Sequence, residues 1–388
     1  MLTSCLCKPG PLARRLHISR PSFRHPLPDD KRSYHYRRRP LPHLVPASTP
    51  ISTSPPGTLF TAASTPGSHS RSCRTSSSLP SKKQPTMAAE NTSNWESKIQ
   101  RNPHPDFKAV EASRPPFDTT KTFAYTQTPQ PSWTFGSGAN HLSSQQDKEK
   151  NHRQIDPYSP TRPAHLNYKL LISAIVPRPI AFVSTISADG KVTNLAPFSY
   201  FTVISHDPPL FVVGFASSLV NPDPTKAKDT LRQLDEVKEC TINIISESYL
   251  EAANSTAINA PYGVSEWDVS GLTPVYDCEH VKAPRVKEAV FSIEGKLESL
   301  RGFESKSTPG KVSSTMAVIE GVKFWAREDA INEEGSLLDI GVLRPVSRLG
   351  GITYGRVTEG VELPRPDFVK DLGGHDGAAK LEKTEQAN

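Results

Sequence analysis

The residues of this chain that could do chemistry fall in two short runs, and both suggest the holding of an anion. The first is Asn194-Leu195-Ala196-Pro197-Phe198-Ser199-Tyr200-Phe201. Pro197 has no N–H to give a strand ladder, so it belongs at a sheet edge or a bulge. Such a break leaves neighbouring N–H groups open to a ligand, and Ser199 adds a hydroxyl beside them. The second run is Lys228-Asp229-Thr230, where the stripe Leu231, Leu234 and Val237 predicts the start of a helix over 229–238. The amino end of a helix carries unpaired N–H groups and about half a positive charge. A phosphate is stabilised there, with Lys228 and Thr230 closing around it and Asp229 as the cap. Taken singly, the two runs also read as an irregular edge strand and an ordinary capped helix.

Other chemistries lack their residues. There is no Walker A sequence, HExxH or GxSxG, and Gly136-Ser137-Gly138 lacks the third glycine of a dinucleotide fingerprint. The cysteines at 5, 7, 73, 240 and 278 have neither zinc nor redox spacing, and Cys240 and Cys278 read as reduced structural thiols. No metal ligand and no catalytic side chain is assigned. Tyr262 and Trp267, in the polar loop 259–270, either cover a ligand or pack on their own domain. His206 and His280 are isolated, and the sequon Asn254-Ser255-Thr256 has no secretory signal to serve.

The elements that must position these runs are mainly β. Strands are predicted over 180–187, 194–205 with an interruption at Pro197, 210–216, 240–245, 289–300, 315–326 and 352–357. Asp189-Gly190 supplies a hairpin turn, His206-Asp207-Pro208-Pro209 a second turn, and Ser248 with Glu251 the spacing of a capping box. Short strands joined by turns, with brief helices inserted, favour a closed antiparallel barrel over a parallel sheet. Phe182, Val212, Ile242, Ile244, Phe291 and Val318 are expected inside it.

Composition confines that barrel to the second half. Residues 1–86 hold fourteen Lys and Arg against Asp29 and Asp30, a net of +12 in a chain totalling +6, so the rest carries −6. The basic balance thus belongs to the tail, and a nucleic-acid face on the folded part is not indicated. Of 37 prolines, 23 precede Leu166, which leaves a core to the remainder. The longest apolar run of the domain, 210–216, is far below the ~20 residues of a membrane span. Residues 1–40 are Arg-rich, Ser-rich and acid-poor, as in a transit peptide, so import into mitochondria from Met1 and a cytoplasmic product starting at Met87 both stand.

Five blocks in order carry a resemblance. They are Pro177 to Thr185, Asn194 to Phe201, Asp207-Pro208-Pro209, Lys228-Asp229-Thr230-Leu231 and Arg348-Leu349-Gly350-Gly351. Together they resemble the flavin reductase-like family, whose fold is the FMN-binding split barrel, over roughly 168–366. The resemblance implies an antiparallel Greek-key split β-barrel with short flanking helices at 167–366. Before it come a disordered basic tail (1–86) and an extended proline-rich arm (87–166) that is either docked or free, and after it a disordered tail (367–388). It also implies bound FMN, a homodimer, and NADH or NADPH as a transient donor. Carried over by position, Ser184 and Thr185 lie along the ring or ribityl chain, and Asn194, Ala196 and Pro197 pack around the ring. Ser199, Lys228 and Thr230 hold the phosphate, while Arg348, Gly350, Gly351 and Tyr354 match a segment near the site.

The expected activity is a flavin reductase passing reduced flavin to a monooxygenase or another acceptor. A flavin-binding module serving as sensor or redox store is the alternative from another class. An oxidase of the pyridoxamine-phosphate type is a third, though the second arginine cluster it needs is not identified.

Overall fold

Asp189-Gly190 turns the chain between the first two barrel strands, but as part of a four-residue loop closed by the Ser187 N–H on the Val192 carbonyl at 2.8 Å. Gly190 alone is left-handed, at a φ of +74°, so this is not the two-residue turn that Asp-Gly leads one to expect. The computed structural model describes residues 102–220 and 227–386. The basic tail, its transit-peptide composition and the start at Met87 lie outside the described residues.

The arm supplies α1 (Phe107–Ala112), β1 (Ala124–Thr126), α2 (Gln145–Lys148) and α3 (Ala164–Ala174). The barrel begins with β2 (Ala181–Ile186), β3 (Thr193–Phe198), β4 (Phe201–His206) and β5 (Pro209–Phe215). Then come α4 (Asp229–Val237), β6 (Glu239–Ile244), α5 (Leu250–Ser255), α6 (Glu266–Ser270), β7 (Pro274–Val275) and β8 (Arg285–Val286). The long strands β9 (Phe291–Glu304) and β10 (Val312–Ala326) precede α7 (Ile340–Leu343), β11 (Val346–Arg348), β12 (Tyr354–Arg356), β13 (Glu359–Val361) and α8 (Gly374–Gln386).

Seven strands form one sheet in the order β3-β2-β6-β9-β10-β5-β4, and every pairing in it is antiparallel. β3 and β4 are its two edges, yet only Ser199 and Tyr200 separate them in the chain. The sheet must therefore curl until its edges approach. The Phe198 ring of β3 meets Phe215 of β5 edge to face at 4.7 Å between centroids, and three register shifts between β9 and β10 supply bending. The result is a split antiparallel barrel.

β2 is buried at all six positions because both of its faces are covered. Ala181 and Val183 face the barrel interior with Val213, Phe215, Ile242, Ile293, Ala317 and Ile319, and Leu231 and Leu234 of α4 close that cluster. Phe182 faces the other way, into a cluster with Leu195, Tyr249 and Trp267 under α5 and α6. Cys240 lies in the inner cluster, free and buried, its thiol pushed up to about 12 by burial.

Several expectations change. Val212, Ile244 and Val318 are only half-buried, and their neighbours Val213, Ile245, Ala317 and Ile319 are the core residues. Phe291 packs on the inner cluster while remaining partly exposed, and Phe182 belongs to the outer one. The runs LFVVGF, TINII and MAVIE are apolar at consecutive positions, so no alternation fixes which set points inward. The strand break falls at 199–200 instead of Pro197, which stays paired with Phe182 because β3 is an edge. Ser248 caps nothing: a 3₁₀ turn, Glu247–Tyr249, leads into α5. Residues 374–386, read from the sequence as part of a disordered tail, form α8.

The arm docks on its own barrel. β1 pairs in parallel with β13, from Ala124 opposite Glu359 to Thr126 opposite Val361. Among the described residues no helix is long and apolar enough to cross a membrane.

Candidate flavin site

The first turn of α4 is held against β2 and β3 by a buried polar knot. Thr185 and Asn194 are register partners, and the Asn194 side-chain amide donates to Thr230 Oγ1 at 2.7 Å. The Thr185 hydroxyl donates to Gln233 Oε1 at 2.7 Å, and the Gln233 amide reaches the Val192 carbonyl at 3.3 Å. Gln233, one helical turn beyond Thr230, has no accessible surface. Sequence reasoning missed it, because a glutamine on the apolar stripe of a helix reads as the edge of its polar face.

This arrangement divides the eight residues expected to touch the cofactor. Ser184, Thr185 and Thr230 are 0, 0 and 1% exposed, so they have no surface from which to meet a ligand. Ser184 lies on the face of β2 shared with Phe182 and opposite Leu195, beneath the outer cluster, and its Oγ is without a partner among the described residues. Asn194 is buried, whereas Ala196, Pro197, Ser199 and Lys228 are half-buried. Ser199 lies five residues along β3 from Asn194, roughly 16 Å at ~3.3 Å per residue. The two runs thus meet at Asn194 and Thr230, and Ser199 stands apart at the strand break.

Lys228, not Asp229, is the N-cap residue of α4, and no side chain caps that end among the described residues. Asp229 sits in the first turn, bonded through Oδ1 to Arg232 at 2.6 Å. Burial raises its carboxyl above the usual range against the opposing pull of Arg232 and Lys228. Burial likewise raises Glu266, which accepts the Leu195 N–H at 3.3 Å on the edge strand. The nine-residue helix thus has no side-chain cap at its amino end among the described residues, a setting that stabilises an anion.

Two hydrogen bonds lead from that end to the wall of a cavity that none of the eight expected residues lines. The Lys228 N–H donates to Ser217 Oγ at 3.0 Å, and Thr315 Oγ1 donates to the Ser217 carbonyl at 2.9 Å. Thr315 and Ala216 then line a cavity of about 720 Å³, within the usual range for small-molecule sites. Its walls are the arm segment around 157–168, Tyr200 with the end of β5, and the β9–β10 hairpin. Tyr200 crosses β5 at Gly214, whose N–H donates to the Tyr200 carbonyl at 2.7 Å. A Cβ on Gly214 would lie 3.0 Å from that of Tyr200, so the glycine permits the approach.

Behind Tyr200 lies Arg178, 7% exposed. Its guanidinium donates to the carbonyls of Ile172, Ile175 and Leu349 at 2.5, 2.7 and 2.9 Å, while Nε is unpartnered among the described residues. Burial lowers its proton affinity, and Tyr200 and Tyr168 act on it from nearby. Arg178 belongs to the Pro177 to Thr185 run, but nothing local in the sequence signals that it ties α3 to the residue after β11.

The remaining candidates stand further off. Arg348 donates to the Gly351 carbonyl at 2.9 Å and lies 4.4 Å over the Tyr354 ring, whose hydroxyl donates to Asn254 at 2.9 Å. Gly350 passes close to Ser173 of α3. Trp267 is a core residue at 4% exposure and covers no ligand, whereas Tyr262 stacks under Arg232 at 4.0 Å beside the first turn of α4. No group of His, Cys, Asp and Glu among the described residues is arranged to hold a metal.

The seven-stranded antiparallel sheet, curled into a split barrel, is the fold of flavin reductase-like proteins. The profile of the family described as "Flavin reductase like domain" matches residues 173–343, and the chain belongs to this family. It is 37% identical over 200 residues to an uncharacterized protein of Halalkalibacterium halodurans, covering 52% of this chain and 91% of that one. An uncharacterized protein of Aquifex aeolicus is 39% identical over 188 residues, covering 48% and 88%. Among solved structures, nitrilotriacetate monooxygenase component B from Bacillus cereus is 33% identical with a TM-score of 0.50, covering 55% of this chain and all of that one.

Proposed function

We propose that this protein binds FMN and reduces it with NADH or NADPH. The observation that carries the reading is the uncapped first turn of α4, joined through Ser217 and Thr315 to the 720 Å³ cavity. Lys228 and the N–H groups of that turn hold the phosphate, and Ser199, Ala196 and Pro197 border the rest of the cofactor. Asn194 and Thr230 fix the helix end to β3. When bound, FMN supplies a ring that accepts hydride from nicotinamide C4 at N5, so no side-chain acid or base is required. Tyr200 and the arm wall the cavity on two sides.

A homodimer is part of the proposal. β4 is an open edge of the sheet with Val203 and Ile204 exposed at 60 and 52%, and no lysine or internal proline blunts it. Delivery of reduced flavin to a monooxygenase follows the name of the Bacillus cereus relative. The test is titration of the full-length protein with FMN, then anaerobic addition of NADH or NADPH. Bleaching by a donor is the expected result. A yellow protein that neither donor reduces would instead leave a binding module, and absence of FMN binding would overturn the site.

A further inference from the structure

We infer that Arg162, in the arm outside the family match, receives a phosphate of the dinucleotide donor. The inference rests on the reductase reading. Arg162 lines the cavity and is half-buried. Its Nε donates to Asn167 Oδ1 at 2.6 Å, and the Asn167 amide donates to the Pro157 carbonyl at 2.7 Å. The guanidinium is thus held by one edge, which leaves the two terminal nitrogens for a ligand. No carboxylate pairs with it among the described residues, whereas Arg232, Arg285, Arg327, Arg344 and Arg356 each have one.

The surroundings select the ligand. Across the cavity the β9–β10 hairpin supplies Lys306, Ser307, Ser313 and Ser314, with the Glu304 carboxylate engaged by the Gly310 N–H at 2.6 Å, and Ser159 lies on the arm side. A fixed arginine with several neutral donors suits an anion with many acceptor oxygens, such as a phosphate, better than a two-oxygen carboxylate. The flavin phosphate is proposed to sit at α4, which contributes no residue to this cavity, so the anion taken here belongs to the other reactant, the donor. Tyr168 and Tyr200 line the same space and offer aromatic surface to the flat rings of a dinucleotide.

The test is calorimetric titration of flavin-saturated, full-length protein with NAD⁺, NADP⁺ and ADP-ribose, for the wild type, Arg162→Ala and Arg162→Lys. FMN affinity is measured in parallel. Arg162→Ala is expected to weaken dinucleotide and ADP-ribose binding by about ten- to a hundred-fold, the usual worth of a charge-assisted bond. Arg162→Lys should recover part of the loss, and FMN affinity should stay within twofold. Equal dinucleotide binding in wild type and Arg162→Ala, or none in the wild type, overturns the inference. So does a parallel loss of FMN affinity, which would assign the arginine to the flavin phosphate. Failure of the reductase reading shows separately, as flavin that neither NADH nor NADPH bleaches in the wild type.

Discussion

Arg356 and Glu247 are joined by two hydrogen bonds, Nε to Oε1 at 2.7 Å and Nη2 to Oε2 at 3.1 Å. The same arginine donates to the carbonyls of Asp118 and Lys121 and lies 4.1 Å over the Phe117 ring. One side chain thus fastens the arm to the barrel, next to the β1–β13 pairing. Because the arm walls the cavity, its attachment has consequences for the site.

Arg356→Ala should release residues 114–126 while leaving the barrel folded. The expected outcome is cleavage by trypsin several-fold faster within the arm, with an unchanged core fragment. Loss of dinucleotide affinity should accompany it. An arm that stays protected would mean that β1 and β13 suffice to hold it.

Glu294 gives a pH dependence with a definite sign. It has no accessible surface and accepts from the N–H groups of Glu279 and His280 at 3.1 and 2.6 Å and from Trp325 Nε1 at 2.8 Å. Burial alone would raise its carboxyl, yet these donors win and hold it below 4.5. A folded value below the unfolded one means that the stabilisation is present above about pH 4.5 and is lost as pH falls through the folded value. Urea midpoints measured from pH 7 to pH 3 should fall in that window, and Glu294→Gln should flatten the decline. A profile identical to the wild type would remove Glu294 from the acid transition.

Much of this arrangement is legible in the sequence where one residue type has one physical use. Asp189-Gly190 marks its turn, Pro197 marks an edge, and Leu231 with Leu234 marks the buried stripe of α4. Register was not legible where apolar residues run consecutively, so Val212 and Val318 were exchanged for Val213 and Ala317 or Ile319. Lys228 and Ser199 keep surface from which a ligand could be met, but burial of Ser184, Thr185 and Thr230 depends on what covers β2, which is long-range information. Arg162 carries no local signal, since its meaning comes from a hairpin some 150 residues later.

Gly214→Val tests the wall formed by Tyr200. The added side chain begins 3.0 Å from Tyr200 Cβ, so the tyrosine must move. Overpacking of this kind costs about 1–3 kcal/mol. A matching fall in the urea midpoint, with weaker dinucleotide binding, is expected. Unchanged stability and binding would show that Tyr200 shifts freely and shapes nothing.

Lys228 and Thr230 lie two residues apart in the phosphate run, yet they should respond differently. Lys228 is half-buried, at the uncapped helix end, and Lys228→Ala should weaken FMN binding about ten- to a hundred-fold with little change in stability. Thr230 is buried, and its hydroxyl accepts from Asn194. Thr230→Ala leaves the Asn194 amide without that acceptor, a cost of about 1–3 kcal/mol in folding free energy. Thr230→Ser keeps the hydroxyl and should restore most of it. FMN titration and urea unfolding of the three variants separate the roles. If Thr230→Ala instead loses FMN affinity at unchanged stability, its hydroxyl turns outward to the phosphate and the bond from Asn194 gives way.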